Sequence, residues 1–248
     1  MNDNKNILIS ILIVTKNQCK ILMNAIESVT EQINNEIIEI IIIDGKSEDD
    51  TINVVKKYEK IKFISEEDSG IYNAMNKAIK LSTGKFIYFL GSDDYLIHKN
   101  IIENIKKILE KNENEKRLLY FKVLMSPINI QYPIKEINKT DILRGEKLCL
   151  QGLIMRRKDV QKLNGFDERF KIAADQDLII RAIKEGIVLN CYDLILASYG
   201  IGGISSKGSV NETILILIKN KLFKNAIRFA CREYLSIIYS IFKKFLKK

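Results

Sequence analysis

Apolar residues fall in short, continuous runs along the first ninety residues of this chain, and a run is typically followed by an amphipathic stretch. Residues 7–14 (ILISILIV) and 37–43 (IIEIIII) are such runs, bounded by polar residues. Their length and β-branched content fit strands covered on both faces, as in a parallel sheet. Residues 62–64 predict a third, short strand, and residues 86–90 (FIYFL) a fourth. Between them, residues 20–31 place Ile21, Leu22, Ala25, Ile26 and Val29 at helical spacing. Residues 51–59 predict a second helix, which Ser47 and Asp50 would open as a variant capping box. A third helix over residues 71–81 gathers Ile71, Ala74, Met75, Ala78 and Ile79 on one side. Strand and helix thus alternate three times before Asp93, which predicts right-handed βαβ crossovers in one sheet.

The pattern is less regular afterwards. Residues 100–109 predict a helix, and residues 117–125 and 129–132 a pair of strands across Ser126-Pro127. Residues 135–146 read as a loop or short helix, and residues 148–155 as a strand. A short helix over residues 158–163 would stop at Asn164-Gly165, which suits left-handed backbone. Residues 175–184 predict a helix that buries Leu178, Ile179, Ala182 and Ile183, and residues 187–196 a strand. Residues 199–208 (YGIGGISSKG) have the composition of a mobile loop. Residues 213–248 alternate apolar and basic positions at helical spacing. The expected organisation is an α/β domain over residues 1–208 and a basic amphipathic tail over residues 209–248.

Charge sharpens that division. The chain carries a net charge of +9, yet residues 214–248 hold nine Lys or Arg against Glu233 alone. The rest is nearly neutral, which argues against a nucleic-acid-binding body. A tail of this kind fits the surface of an anionic membrane; its apolar stripe would equally suit packing on the body or in a homodimer. No stretch offers about 18 uninterrupted apolar residues, so no spanning helix is expected, nor is a signal-peptide cleavage pattern evident. The 4 cysteines are scattered without a CxxC pair, and there is 1 histidine, His98. That composition excludes a zinc or disulfide framework and fits a reducing, cytoplasmic setting.

The candidate chemistry is carboxylate chemistry. Asp44, Asp68, the pair Asp93-Asp94 and Asp175 each follow a predicted strand or start a predicted helix. One such acid is usually a turn residue or an N-cap. Four at one sheet edge, where open α/β sheets bind ligands, mark a site. Adjacent Asp93 and Asp94 repel each other unless a cation offsets the charge. Mg²⁺ or Mn²⁺, shared with substrate phosphates, suits hard oxygen ligands of this kind. Asp175, in KIAADQDLIIRA, serves equally well as an N-cap or as a general base. Lys16, Lys77 and Lys85 read as surface or phosphate-neutralising groups, and His98 as an ordinary helix-start residue.

The strings ISILIVTKN, IIIDGKSEDDT, SEEDSGIYNAMNKAI, STGKFIYFLGSDD, LQGLIMRR and GFDERFKIAADQDLIIR occur in that order. Together they resemble family 2 glycosyltransferases of the GT-A fold, most closely bacterial hexosyltransferases of polysaccharide and cell-envelope assembly of the colanic-acid type. The resemblance covers roughly residues 7–206. It implies a Rossmann-like, mostly parallel sheet flanked by helices. It implies that Thr15 and Asp44 contact the nucleotide base, with Asp68 and Asn76 bordering that pocket. Asp93 would contact ribose or sugar and share the metal with Asp94, Gln151 would stand near acceptor and donor sugar, and residues 200–206 would close over the donor. Asp175 would be the base of an inverting transfer from a nucleotide-diphosphate sugar, most simply a UDP-sugar, to a hydroxyl of a lipid-linked or glycan acceptor. The chain departs from the family pattern at Asn73, Leu150 and Ala174. Two other readings are a sugar-phosphate nucleotidyltransferase, which VTKNQCK disfavours because it lacks the glycine-rich loop, and a non-enzymatic membrane-surface scaffold; the expected location is cytoplasmic, peripheral on the inner face of the cytoplasmic membrane.

Overall fold

A computed structural model describes residues 6–33, 35–200 and 209–245. The first half follows the expected alternation: β1 (Ile9–Thr15), α1 (Cys19–Thr30), β2 (Ile38–Asp44), α2 (Thr51–Val55), β3 (Ile61–Ser65), α3 (Ile71–Leu81) and β4 (Phe86–Gly91). β5 (Tyr95–Leu96), α4 (Ile101–Asn112), β6 (Arg117–Ser126), β7 (Ile130–Tyr132) and α5 (Lys139–Leu143) come next. The chain continues with β8 (Leu153–Arg156), α6 (Arg157–Lys162), α7 (Ala174–Lys184), β9 (Val188–Gly200), α8 (Val210–Lys219) and α9 (Phe223–Phe245). The strands form a sheet in the order β3-β2-β1-β4-β8-β6-β9-β5, with β7 beside β6.

The continuous apolar runs divide between two cores. In β1, Leu12 faces one cluster while Ile9, Ile11 and Ile13 face the other. In β2, Ile41 and Ile43 oppose Ile40 and Ile42 in the same way. Both faces are therefore covered, α3 and α7 on one side and α1 and α4 on the other. That is why the runs lack polar alternation. β3, β2, β1 and β4 are parallel, and Thr15 pairs with Asp44, Asp44 with Ser65, and Val14 with Gly91. This register brings the carboxyl ends of four strands to one edge.

Several local expectations change. The strand expected over residues 148–155 breaks into a 3-10 turn, Leu150–Gly152, followed by β8. Gly152 lies so close to the Phe121 carbonyl and the Tyr120 ring that no side chain fits there. The capping box at Ser47 and Asp50 does not form, because the Ser47 hydroxyl donates to Asp44 and Asp50 makes no side-chain cap. α5 instead carries a complete box, in which Asn138 accepts from Thr140 and Asp141 while Asp141 accepts from Asn138. β9 outruns its expected end because its pairing with β6 continues to Ser126 opposite Gly200.

The expected boundary at 208/209 does not separate two packed units. Thr213, Ile216 and Leu217 of α8 and Ala226 and Phe229 of α9 are buried, the four apolar ones in the same cluster as α7. Asp177 is fully buried and bonded by Arg181 at 2.7 Å, Lys219 at 2.9 Å and Asn220 at 3.0 Å. The outward face of α9 keeps the character of a free amphipathic tail, with Phe223, Ile227, Tyr234, Leu235 and Tyr239 exposed. Among the described residues no helix is long and apolar enough to cross a membrane.

Candidate active site

β4 ends on Gly91, and the chain turns at once, with the Asp94 N–H donating to the Gly91 carbonyl at 3.2 Å. The turn points Asp93 toward solvent and Asp94 into the protein. Gly91 is needed here: a Cβ at this position would come 3.0 Å from Asp93 Oδ1 and closer still to the Asp94 carboxylate. Asp94 Oδ1 accepts the Gly200 N–H at 2.8 Å, which ties the end of β9 to the turn. Asp94 Oδ2 is buried without a hydrogen-bond partner among the described residues. Burial pushes the Asp94 carboxyl up to about 7, and the neighbouring Asp93 charge adds to the shift. Backbone donors at Gly200 and Gly91 and the Gln151 amide oppose it.

A buried carboxylate oxygen with no donor is costly, and a hard cation is the partner that suits it. Among the described residues no group of three or more His, Cys, Asp or Glu stands ready for a metal. Asp93 and Asp94 therefore fit an ion that draws its other ligands from elsewhere, as Mg²⁺ and Mn²⁺ do from substrate phosphates.

In front of this turn lies a cavity of about 500 Å³. Val14, Leu90, Gly91 and Asp93 form the sheet side, and Ile71, Tyr72 and Met75 of α3 form one flank. Residues 147–151 form a second flank, Lys171, Ile172 and Asp175 a third, and Tyr199 and Gly200 stand at its rim. Gln151 is thus placed beside Asp94, and its main-chain carbonyl accepts from Tyr88 at 2.8 Å. The Cys149 thiol donates to Gln151 Oε1 at 3.1 Å. Burial pushes that thiol up to about 12, which disfavours the thiolate.

Asp175 lies near the start of α7, whose N-cap is Ala173 without a side-chain bond. It is therefore not the cap that its position suggested. Its Oδ1 accepts from the N–H of Gln176 at 2.9 Å and from the Tyr72 hydroxyl at 3.3 Å. Burial raises its carboxyl above the ordinary range, while the Gln176 N–H, the Lys147 charge and the Tyr72 hydroxyl hold it down. The Tyr72 phenol is itself held far above its ordinary range by burial and by Asp175, so it acts only as a donor.

Other expected site residues are arranged differently. Asp44 is fully buried, and its carboxylate accepts from the Ser47 N–H at 2.9 Å, the Ser47 hydroxyl and the Ser65 hydroxyl at 2.6 Å. It fixes the ends of β2 and β3. Thr15 stands beside it with its hydroxyl buried and without a hydrogen-bond partner among the described residues. Asp68 accepts from Gly70 at 2.9 Å and approaches Gly45. The Asn76 side chain is consumed locally, donating to the Phe166 carbonyl at 3.0 Å and Glu168 at 2.8 Å and accepting from the Phe166 N–H at 2.9 Å. It braces α3 against residues 164–168 and does not line the cavity. Residues 201–206, expected to close over the donor, lie outside the described residues. Sequence reasoning missed Tyr72 and Lys147; Tyr72 sits on the apolar side of α3, one residue after Ile71, where a phenol signals a buried partner.

The fold matches solved GT-A glycosyltransferases, among them Staphylococcus aureus TarS in complex with UDP (TM-score 0.71, 20% identity, covering 86% of this chain). A mannosyltransferase from Pyrobaculum calidifontis in complex with GDP-Man and Mn²⁺ also matches (TM-score 0.65, 14% identity, covering 89% of this chain). This chain spans 65% and 64% of those two solved chains. The model of "Glycosyl transferase family 2" matches residues 10–115. A PGL/p-HBAD biosynthesis glycosyltransferase of Mycobacterium bovis is 26% identical over 204 residues, 79% of this chain and 78% of that protein. Over residues 10–115 the chain is thus similar to family 2 glycosyltransferases, and its fold is that of the solved glycosyltransferases.

Proposed function

We propose that the enzyme transfers a sugar, with inversion, from a nucleotide-diphosphate donor, a UDP-sugar in the first instance, to a hydroxyl of a lipid-linked or cell-surface glycan acceptor. The observation that carries this reading is that Asp93, Gln151 and Asp175 face one cavity at the carboxyl ends of β1 and β4. Asp175 is the general base, taking the proton of the acceptor hydroxyl as that oxygen attacks the anomeric carbon from the face opposite the diphosphate. The Tyr72 hydroxyl and the Gln176 N–H hold its carboxylate in one orientation. Lys147, across the cavity, favours its ionised form. A divalent cation, Mn²⁺ or Mg²⁺, held by Asp94 and Asp93, would offset the charge of the leaving diphosphate. Thr15 and Asp68 border the donor's base end; Asp44 shapes that end from behind.

A thermal-shift screen with UDP-, GDP- and dTDP-sugars, each with and without Mn²⁺, tests the donor. At about 100 times its Kd the true donor should raise the melting temperature by about 5–10 °C, and only with the cation. Asp94→Ala should remove the cation dependence; an unchanged shift in that variant would move the metal site elsewhere.

We further propose that the enzyme works at the inner face of the cytoplasmic membrane. The outward face of α9 supports this, since Phe223, Ile227 and Leu235 are exposed there among Lys224 and Arg228. Sedimentation with vesicles should show binding to anionic lipid that weakens as salt rises, each basic residue contributing about 1 kcal/mol. Equal binding to neutral vesicles would speak for another partner, such as a second copy of the chain.

A further inference from the structure

We propose that Glu212, in the first turn of α8, is a positioning residue for Asp175; this rests on Asp175 being the base. Its two carboxylate oxygens accept three successive backbone N–H groups. Oε1 takes that of Lys171 at 2.8 Å, and Oε2 takes those of Ile172 at 2.9 Å and Ala173 at 2.8 Å. These residues lead directly into α7, and Asp175 follows two positions later. The first N–H groups of a helix lack partners within it, and α7 has no side-chain cap of its own. A carboxylate some forty residues along the chain takes the N–H of the N-cap residue, Ala173, and of the two residues before it. Its charge also suits the positive end of the helix.

The contact bears on Asp175 from both sides. Ahead of it, the Ile172 carbonyl accepts from the Tyr72 hydroxyl at 2.9 Å, the same hydroxyl that reaches Asp175 Oδ1. Behind it, the Thr213 hydroxyl, next to Glu212, donates to Gln176 Oε1 at 2.8 Å. The Gln176 amide in turn donates to the Gly145 carbonyl at 3.0 Å. A segment held at this many points presents its carboxylate in one place, and a displacement of about 1 Å at a reacting group costs on the order of 10²-fold in rate. The far end of α8 is fixed separately, by Lys219 and Asn220 on Asp177. Attachment of the helix and orientation of the base can therefore be perturbed independently.

The test compares wild type, Glu212→Ala, Glu212→Gln and Lys219→Met in four measurements. These are nucleotide release from the sugar nucleotide that gives the largest thermal shift, donor Kd by calorimetry, melting temperature, and amide hydrogen exchange of residues 171–176. Glu212→Ala should lower kcat about tenfold or more while donor Kd stays within about twofold. Glu212→Gln, which keeps one acceptor oxygen, should fall between. Exchange of residues 171–176 should quicken in Glu212→Ala but not in Lys219→Met, which should lose melting temperature and keep kcat. Full kcat in Glu212→Ala, or an equal loss in Lys219→Met, would overturn the proposal. If Glu212→Ala does not fold, undiminished kcat in Glu212→Gln would do the same. Asp175→Asn, run alongside, separates the two levels: if it retains full kcat, the base assignment itself has failed.

Discussion

Asp175→Asn should lower the transfer rate by about 10²–10⁴-fold, the usual worth of a positioned general base. It should also raise the melting temperature near neutral pH. The two effects have one origin. The Asp175 carboxyl is half-buried at the cavity wall against Tyr72, and desolvation raises its pKa above the ordinary value. The unfolded chain returns it to about 3.9. The folded state therefore binds the proton more tightly than the unfolded state does. Below about pH 4 the group is protonated in both states and the stability it contributes is fully present. As pH rises through the raised folded value, that contribution is lost, because the charged form stays poorly solvated. Asparagine keeps the shape without the charge. Its gain should thus be present at pH 7 and fade toward pH 4. Melting curves at both pH values, set beside transfer rates, check this. A destabilised variant at pH 7 would mean that the bonds from Gln176 and Tyr72 outweigh desolvation.

The site is legible in the sequence to the extent that it depends on strand ends. β1, β2 and β4 announce themselves because each is covered on both faces, and Asp93-Asp94 follows the last of them with only Ser92 after Gly91. Asp175 stands out because an apolar-periodic helix begins around it. What a sequence does not carry is the direction in which a polar side chain is spent. Asn76 and Asp44 have the right types at the right positions, yet Glu168 and the Phe166 backbone take up one while Ser47 and Ser65 take up the other. Glu212 is the converse. In VNETILIL it looks like a solvated first-turn acid, and only the folded chain brings residues 171–173 to it. Asp177, too, reads as a helix-start acid matched to the dipole. Its partners Lys219 and Asn220 lie in the stretch whose composition suggested a detachable tail.

That stretch should prove indispensable in part. Removing residues 209–248 should leave a chain that does not fold, whereas ending the chain after Glu233 should leave fold and donor binding intact. The reason is how burial is distributed along the two helices. Ile216 and Leu217 are fully buried and Phe229 nearly so. The Phe229 ring packs against Gly145, where a Cβ would meet the ring. Burying three such side chains is worth about 1.5–3 kcal/mol each, roughly 5–9 kcal/mol together. That is comparable to the whole stability of an ordinary domain, about 5–15 kcal/mol. The same cut exposes Asp177, strips the N–H groups of residues 171–173 of Glu212 and leaves apolar surface on α7 bare. Beyond Arg232, which pairs with Glu146 at 2.7 Å, the described side chains of α9 at Tyr234, Leu235 and Tyr239 are exposed. The shorter cut therefore removes these exposed side chains and four of the tail's lysines while keeping Ile216, Leu217, Ala226 and Phe229. Circular dichroism should show a cooperative melt for the 1–233 chain and none for the 1–208 chain. Vesicle binding should weaken in the 1–233 chain while nucleotide release from the sugar nucleotide is kept. A 1–208 chain that melted cooperatively would make α8 and α9 a separable unit and remove the physical basis for their grip on the base.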